Sequence, residues 1–210
     1  AQPFGWFKDE ITSADQVAGL KYRTVGLAAD LFQAMGAAVA QLPGGEIVPA
    51  MERGVIDAFE FNNPTSDSRF GAQDVAKNYM LASYHQASES FEFIFNKDKY
   101  ESLPPDLQAI LKYGVEAVHL ANTALALHQY STDLEKLQTE AGVNVKRTPD
   151  DVLKTQLDAW DEILPPLMED PFFAKVVESQ KEWCERVVFY SLQNAPDYRL
   201  AYQHYYPGKL

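Results

Sequence analysis

Cysteine is almost missing from this chain: Cys184 is the single one in 210 residues. That excludes an internal disulfide and a cysteine-based zinc site. Long apolar runs are missing too. Although 46% of the residues are hydrophobic, no stretch approaches the roughly 20 apolar residues of a membrane-spanning helix. Positive charge is scarce, with 18 Lys and Arg against 30 Asp and Glu and a net charge of −12. Such a balance argues against nucleic acid and anionic membranes as partners. An anionic ligand would need a local positive site. No secretory signal, nucleophile motif, phosphate loop or dinucleotide glycine fingerprint is visible. His119 and His128 lie nine residues apart. On a helix that spacing puts them on opposite faces, so they cannot share an ion.

What is present is concentrated in residues 19–67, which alternate strand-like and helix-like segments. Residues 20–25 read as a short strand followed by Gly26. Leu27, Leu31 and Met35 then recur on one helical face, and Gly36 suits the helix stop. Residues 37–41 read as a strand, 46–53 as a short helix ended by Gly54, and 55–60 as a strand broken by Asn62-Asn63-Pro64. Strands alternating with helices imply parallel pairing, with ligands beyond the carboxyl ends of the strands. Arg23 and Glu60 lie at such places. A second strand-like run is expected at 91–95. Pro104-Pro105 opens a helix that persists to about Glu140. A strand follows at 143–146, then helices over 150–164, ended by Pro165-Pro166, over 171–193, and over the aromatic tail 197–206.

Each candidate has a plain structural alternative. Arg23 offers a planar fork for a carboxylate, or it makes a salt bridge with Asp57 or Glu60. Glu60 ends a strand and could cap a helix or face water. Asn62 and Asn63 can hydrogen-bond a ligand or build a turn, and Asp67 reads as turn chemistry. Gln2 is either an exposed terminal residue or a site residue. His85 reads as a packed or surface histidine, and Trp6 and Phe7 as core. Tyr198, Tyr202 and Tyr205 form a helical stripe, which docks on its own domain or on a second copy.

Three stretches carry a resemblance: LKYRTVG, GGEIVPAMERGVIDAFEF and FIFNKDKYESLPPDLQ. In order and spacing they resemble the solute-binding proteins of tripartite ATP-independent periplasmic (TRAP) transporters. The opening AQPFGWF is similar to the 2-oxo-acid-binding branch. The resemblance implies an α/β fold. It would be a lobe of the type II periplasmic-binding-protein kind, a mixed sheet with flanking helices, followed by long C-terminal helices. It divides the chain into a ligand-binding lobe (1–86), a crossover strand region toward an N-terminal lobe (87–103) and a helical region (104–210). It further implies that this is the C-terminal portion of a longer protein.

By the same resemblance the chain is not an enzyme. It is the extracytoplasmic, periplasmic component that captures a small 2-oxo or 2-hydroxy monocarboxylate in an interlobe cleft and presents it to TRAP membrane subunits. Arg23 takes the ligand carboxylate, with Gln2, Asn62, Asn63 and Gln86 around it. Glu60, the Phe61 carbonyl and Gln2 hold a metal ion against the ligand. Metal-binding relatives carry a glutamate where this chain aligns Gln86. With one carboxylate fewer, charge balance favours sodium or no ion over calcium. A kinked C-terminal helix implies a homodimer contact. The readings that stand beside this one are a ligand-sensing module of the same fold and a hydrolytic enzyme using Glu60 and His85.

Overall fold

The computed structural model describes residues 1–210, which group into two compact units, Ala1–Glu162 and Ile163–Leu210. The first unit is built on one six-stranded mixed sheet. Its strands are β1 (Gly5–Phe7), β2 (Lys21–Arg23), β3 (Ala38–Ala40), β4 (Ala58–Phe59), β5 (Asn78–Leu81) and β6 (Asn144–Arg147). They are ordered β3-β2-β4-β1-β5-β6. β2 pairs in parallel with β3 and β4, and β5 with β6, whereas β1 runs antiparallel to both β4 and β5. The α-helices of this unit are α1 (Leu27–Ala34), α2 (Ile47–Glu52), α3 (Pro64–Arg69), α4 (Ala72–Val75), α5 (Lys97–Glu101), α6 (Pro105–Thr139) and the greater part of α7 (Asp150–Leu167).

This topology decides where side chains meet. Arg23 ends β2, and Glu60 follows β4, so both reach the carboxyl edge of the parallel strands. Because β1 is antiparallel, the residues before it, Gln2 among them, start from that same edge. β5 runs antiparallel to β1, so the chain leaving it, Ser83 to Gln86, returns there as well.

The core is aromatic. Trp6 stacks on Tyr79 with ring centroids 4.1 Å apart, and both join a cluster with Ile47, Met51, Ile56, Phe59 and Leu137. Phe4, Phe7, Tyr22 and Phe32 form another fully or almost fully buried group, with Phe4 and Phe7 centroids 4.7 Å apart. Trp6 and Phe7 are therefore core, as the sequence implies. Gly5 allows β1 to approach β4 closely. Its φ is +137°, and a Cβ there would lie 2.2 Å from the Phe59 carbonyl oxygen. Gly5→Ala must therefore push the two strands apart. We expect a loss of about 3 kcal/mol in urea unfolding; a loss below about 1 kcal/mol would show that the strands part freely here.

Two expectations are corrected. Residues 91–95 form no strand, and Phe91, Phe93, Ile94 and Phe95 are all exposed. Alternating apolar residues become a strand only beside another strand, and none flanks them. The helix at 150 does not stop at the proline pair. α7 runs Asp150–Leu167 with Pro165 and Pro166 inside it. A proline loses only its own N–H bond and restricts the residue before it, so a helix near its end can pass through. The 35-residue α6 is as long as its periodicity predicts.

The second unit holds the end of α7, then α8 (Pro171–Asn194), capped by Asp170, and α9 (Tyr198–Tyr205), capped by Asp197. Neither α8 nor α9 has a buried residue. Trp183, Phe189, Tyr198 and Tyr205 are among their exposed apolar side chains. No helix in either unit is long and apolar enough to cross a membrane.

Candidate functional site

The site is built around a buried ion pair. Arg23 is 5% exposed and Glu60 4%. Arg23 Nη1 donates to both the Glu60 carbonyl, at 2.9 Å, and Glu60 Oε1, at 3.1 Å. Its Nε donates to the Leu42 carbonyl at 2.9 Å. The salt-bridge alternative thus holds for Glu60. Asp57 pairs instead with Lys8 and Lys21 on the surface. Burial lifts the Glu60 carboxyl up to about 7, against the opposing pull of Arg23. Such a carboxylate gains from any further positive charge placed beside it.

Gln2 is buried, not an exposed terminus. Its backbone N–H donates to the Gln86 carbonyl. Its side-chain Nε2 donates to the Phe61 carbonyl at 3.0 Å, and its Oε1 lies 2.9 Å from His85 Nε2. His85 Nδ1 in turn lies 2.6 Å from Ser83 Oγ. The ring is packed, 7% exposed, and burial lowers its pKa to about 4. It is neutral at physiological pH. His85 and Glu60 have separate hydrogen-bond partners, Ser83 and Gln2 for one and Arg23 for the other, so no acid/base pair forms.

Asn62 and Asn63 do structural work. Asn63 caps α3, accepting from Thr65 N and Ser66 N through Oδ1, and its Nδ2 donates to Asn62 Oδ1. Asp67 does more than turn chemistry. Its carboxylate is 1% exposed and accepts from Trp6 Nε1, Tyr79 OH, Ser66 Oγ and the backbone N–H groups of Asn62 and Asn63. Burial pushes that carboxyl up to about 6, while the bonds from Trp6, Ser66, Asn63 and Asn62 pull it down.

Sequence reasoning passes over three residues. Ser83 and the fully buried Gln156 lie behind His85, with Ser83 Oγ donating to Gln156 Oε1 at 3.1 Å. The half-buried Glu89 carboxylate faces Gln2 and Asn62, and their amides oppose the upward shift that burial gives it. Gln86, in contrast, contributes its carbonyl. Glu89 stands three positions beyond Gln86, and only an allowance for a gap in the 87–95 stretch would have brought it forward.

A metal needs a matching set of donors. The oxygens gathered here are a carboxylate, a backbone carbonyl and amide groups, which suit a hard cation such as sodium or calcium. No three His, Cys, Asp or Glu side chains form a cage. Any such cation would therefore depend on neutral oxygens and on its ligand.

Residues 2–174 match the family described as bacterial extracellular solute-binding protein, family 7. The chain belongs to that family. Among its relatives is the monocarboxylate 2-oxoacid-binding periplasmic protein all3028 of Nostoc sp., 35% identical over 130 residues, which are 62% of this chain and 35% of that protein. The fold is similar to that of a TRAP periplasmic solute-binding protein from Colwellia psychrerythraea, with bound calcium and pyruvate. There the TM-score is 0.84 at 29% identity, covering 98% of this chain and 62% of the other. A second such protein, from Pseudoalteromonas atlantica, has bound sodium and pyruvate. It matches with a TM-score of 0.76 at 29% identity, covering 93% of this chain and 62% of the other. The chain thus spans about a third of the curated relative, 35%, and under two thirds of either structure, 62%. TRAP solute-binding proteins are not enzymes, and this member of the family is not one.

Proposed function

We propose that this chain contributes the arginine-bearing lobe of a periplasmic TRAP solute-binding protein that captures a small 2-oxo or 2-hydroxy monocarboxylate. One observation carries the reading. A buried arginine stands at the carboxyl edge of parallel strands with Nε and Nη1 engaged by Leu42 and Glu60. Its Nη2 is the nitrogen those bonds leave over, and a ligand carboxylate would take it. The Nostoc relative named for 2-oxo acids and the two pyruvate-bound neighbours support that ligand class. Ligand contacts from a second lobe would then favour a closed form, which TRAP membrane subunits recognise.

In this reading Gln2, Glu60 and the Phe61 carbonyl face a cation beside the ligand, with Asn62 and Asn63 shaping the edge. The sodium-over-calcium expectation counted Gln86 as the last group. Glu89, facing Gln2 and Asn62, adds a negative charge to that count. A divalent ion becomes as well matched as sodium, and one neighbour carries each. A homodimer through α9 would cover its exposed tyrosines.

Thermal melting tests this directly, with pyruvate, lactate and acetate each measured in sodium, in calcium and in neither. Ligand at 100 times its dissociation constant adds about 2.7 kcal/mol, a rise of roughly 5–10 °C for a unit of this size. We expect it for pyruvate with a cation present, and less for acetate, which lacks the second oxygen. The absence of a shift with every 2-oxo and 2-hydroxy acid in the two-lobed protein would remove the reading.

A further inference from the structure

The turn between β4 and α3 carries the Phe61 carbonyl, and one carboxylate holds its backbone from inside. Asp67 Oδ1 accepts the N–H of Asn62 at 3.1 Å and that of Asn63 at 3.1 Å. It also accepts Ser66 Oγ at 3.0 Å. Asp67 Oδ2 serves the sheet instead. It accepts Trp6 Nε1 on β1 at 2.9 Å and Tyr79 OH on β5 at 3.3 Å. One oxygen is thus tied to two neighbouring strands and the other to the turn. Helix capping does not account for the turn side. Asn63 Oδ1 already caps α3 through Thr65 N and Ser66 N, and the N–H groups that Asp67 takes lie ahead of its first turn.

Those N–H groups decide where the carbonyls point. The chain has no cis peptide bond, and in a planar trans peptide the C=O and the N–H point in opposite directions. The Phe61 carbonyl and the Asn62 N–H share one such plane. With the N–H drawn in to Asp67, the Phe61 carbonyl must face away from it, where Gln2 Nε2 meets it at 3.0 Å. That bond uses one of the carbonyl's two lone pairs and leaves the other for a cation. The preceding peptide is fixed as well, since the Glu60 carbonyl accepts Arg23 Nη1 at 2.9 Å. The carboxylate also acts through the electrons of the peptide. An N–H bonded to an anion polarises its own amide, and hydrogen bonds in a chain strengthen one another in a low-dielectric interior. The Phe61 oxygen is thereby more negative than an ordinary carbonyl oxygen.

We propose that Asp67 is a positioning residue of the cation site, whose Oδ1 holds the Phe61–Asn62 peptide so that the Phe61 carbonyl stays turned toward the ion and polarised for it. This rests on the cation reading above. The sheet side gives the arrangement its reference. β1 carries Trp6, which holds Oδ2, and the chain runs back from it to Gln2, whose amide meets the same carbonyl. The carbonyl and the amide beside it are therefore both placed from one strand. Outer partners of this kind typically change metal affinity 10–100-fold when removed.

The first test needs no cation. In the 15N,13C-labelled full chain at mildly alkaline pH, couplings through the hydrogen bonds should join the Asn62 and Asn63 amide nitrogens to the Asp67 carboxyl carbon. Their absence, with other such couplings resolved in the same protein, would overturn the proposal. The second test is the cation requirement of the two-lobed protein, read as the calcium or sodium concentration giving half the melting shift with pyruvate. Asp67→Asn keeps the size of the side chain but loses its charge and one acceptor oxygen. It should raise that concentration 10–100-fold. Met51→Ala is the control. It truncates a core side chain of α2 that is 2% exposed, so it lowers the melting temperature but should leave the cation requirement unchanged. An unchanged requirement in folded Asp67→Asn, or an equal rise in Met51→Ala, would overturn the positioning role. Should Asp67→Asn fail to fold, the couplings in the wild-type chain decide. Should no cation shift the wild-type protein, the cation reading falls, and the couplings still decide whether Asp67 holds the peptide.

Discussion

Replacement of Asp67 by alanine will lower the melting temperature by about 10 °C or more. The carboxylate is 1% exposed and joins the indole of Trp6 on β1, the phenol of Tyr79 on β5 and the two backbone N–H groups that start α3. Removing it leaves these donors buried without an acceptor. Hydrogen bonds to a charged group contribute about 1.5–3 kcal/mol each, and an unsatisfied buried donor costs about 1–3 kcal/mol. The contributions are not additive, and a net loss of about 4 kcal/mol places this substitution among the severe ones. Asp67→Asn should recover only part of the loss, since its amide keeps one oxygen and brings an NH2 against donors. Urea unfolding of the three proteins measures this. A difference below about 1 kcal/mol for alanine would mean that water replaces the carboxylate without penalty.

The second large effect belongs to Arg23. Arg23→Lys should weaken pyruvate binding at least about tenfold, as the loss of one charge-assisted hydrogen bond requires. Lysine keeps the charge but not the fork. In this site the fork has several duties at once. Nε and Nη1 are spent on Leu42 and Glu60, so a single ammonium cannot hold Glu60 and also receive a ligand. Glu60 would be left less well paired, and burial already lifts its carboxyl up to about 7. Calorimetric titration in sodium and in calcium, with circular dichroism to establish folding, separates lost binding from lost structure. Unchanged affinity in a folded Arg23→Lys protein would take Arg23 out of the ligand site.

The fold class, the family and the two charged residues of the central pair were legible in the amino-acid order. Strand and helix signals over residues 19–67 have periods of their own, and glycine and proline mark their ends, so β2, α1, β3, α2 and β4 appear nearly where read. Arg23 stood out because a guanidinium projecting from a strand near the centre of the lobe is costly to bury without a partner. The long α6 followed from an apolar repeat sustained from Leu107 to Leu125. The strand expected at 91–95 failed for a related reason. Alternation is a local pattern, but a strand is a relation between two segments, and the second was not there to pair.

The site itself was only partly legible. Nothing near Asp67 in the chain shows that Trp6 and Tyr79 lie above it, since those contacts span 61 and 12 positions. Gln156 reaches Ser83 across 73 positions, and no motif joins them. Local periodicity determined which segments are helices or strands, because backbone geometry repeats over a few residues. The antiparallel insertion of β1 between β4 and β5 was a tertiary decision. It brings Gln2, Arg23, Glu60 and Ser83 to one edge of the sheet, because hydrogen-bonded strand order depends on which backbones pair and not on the order in which they are made.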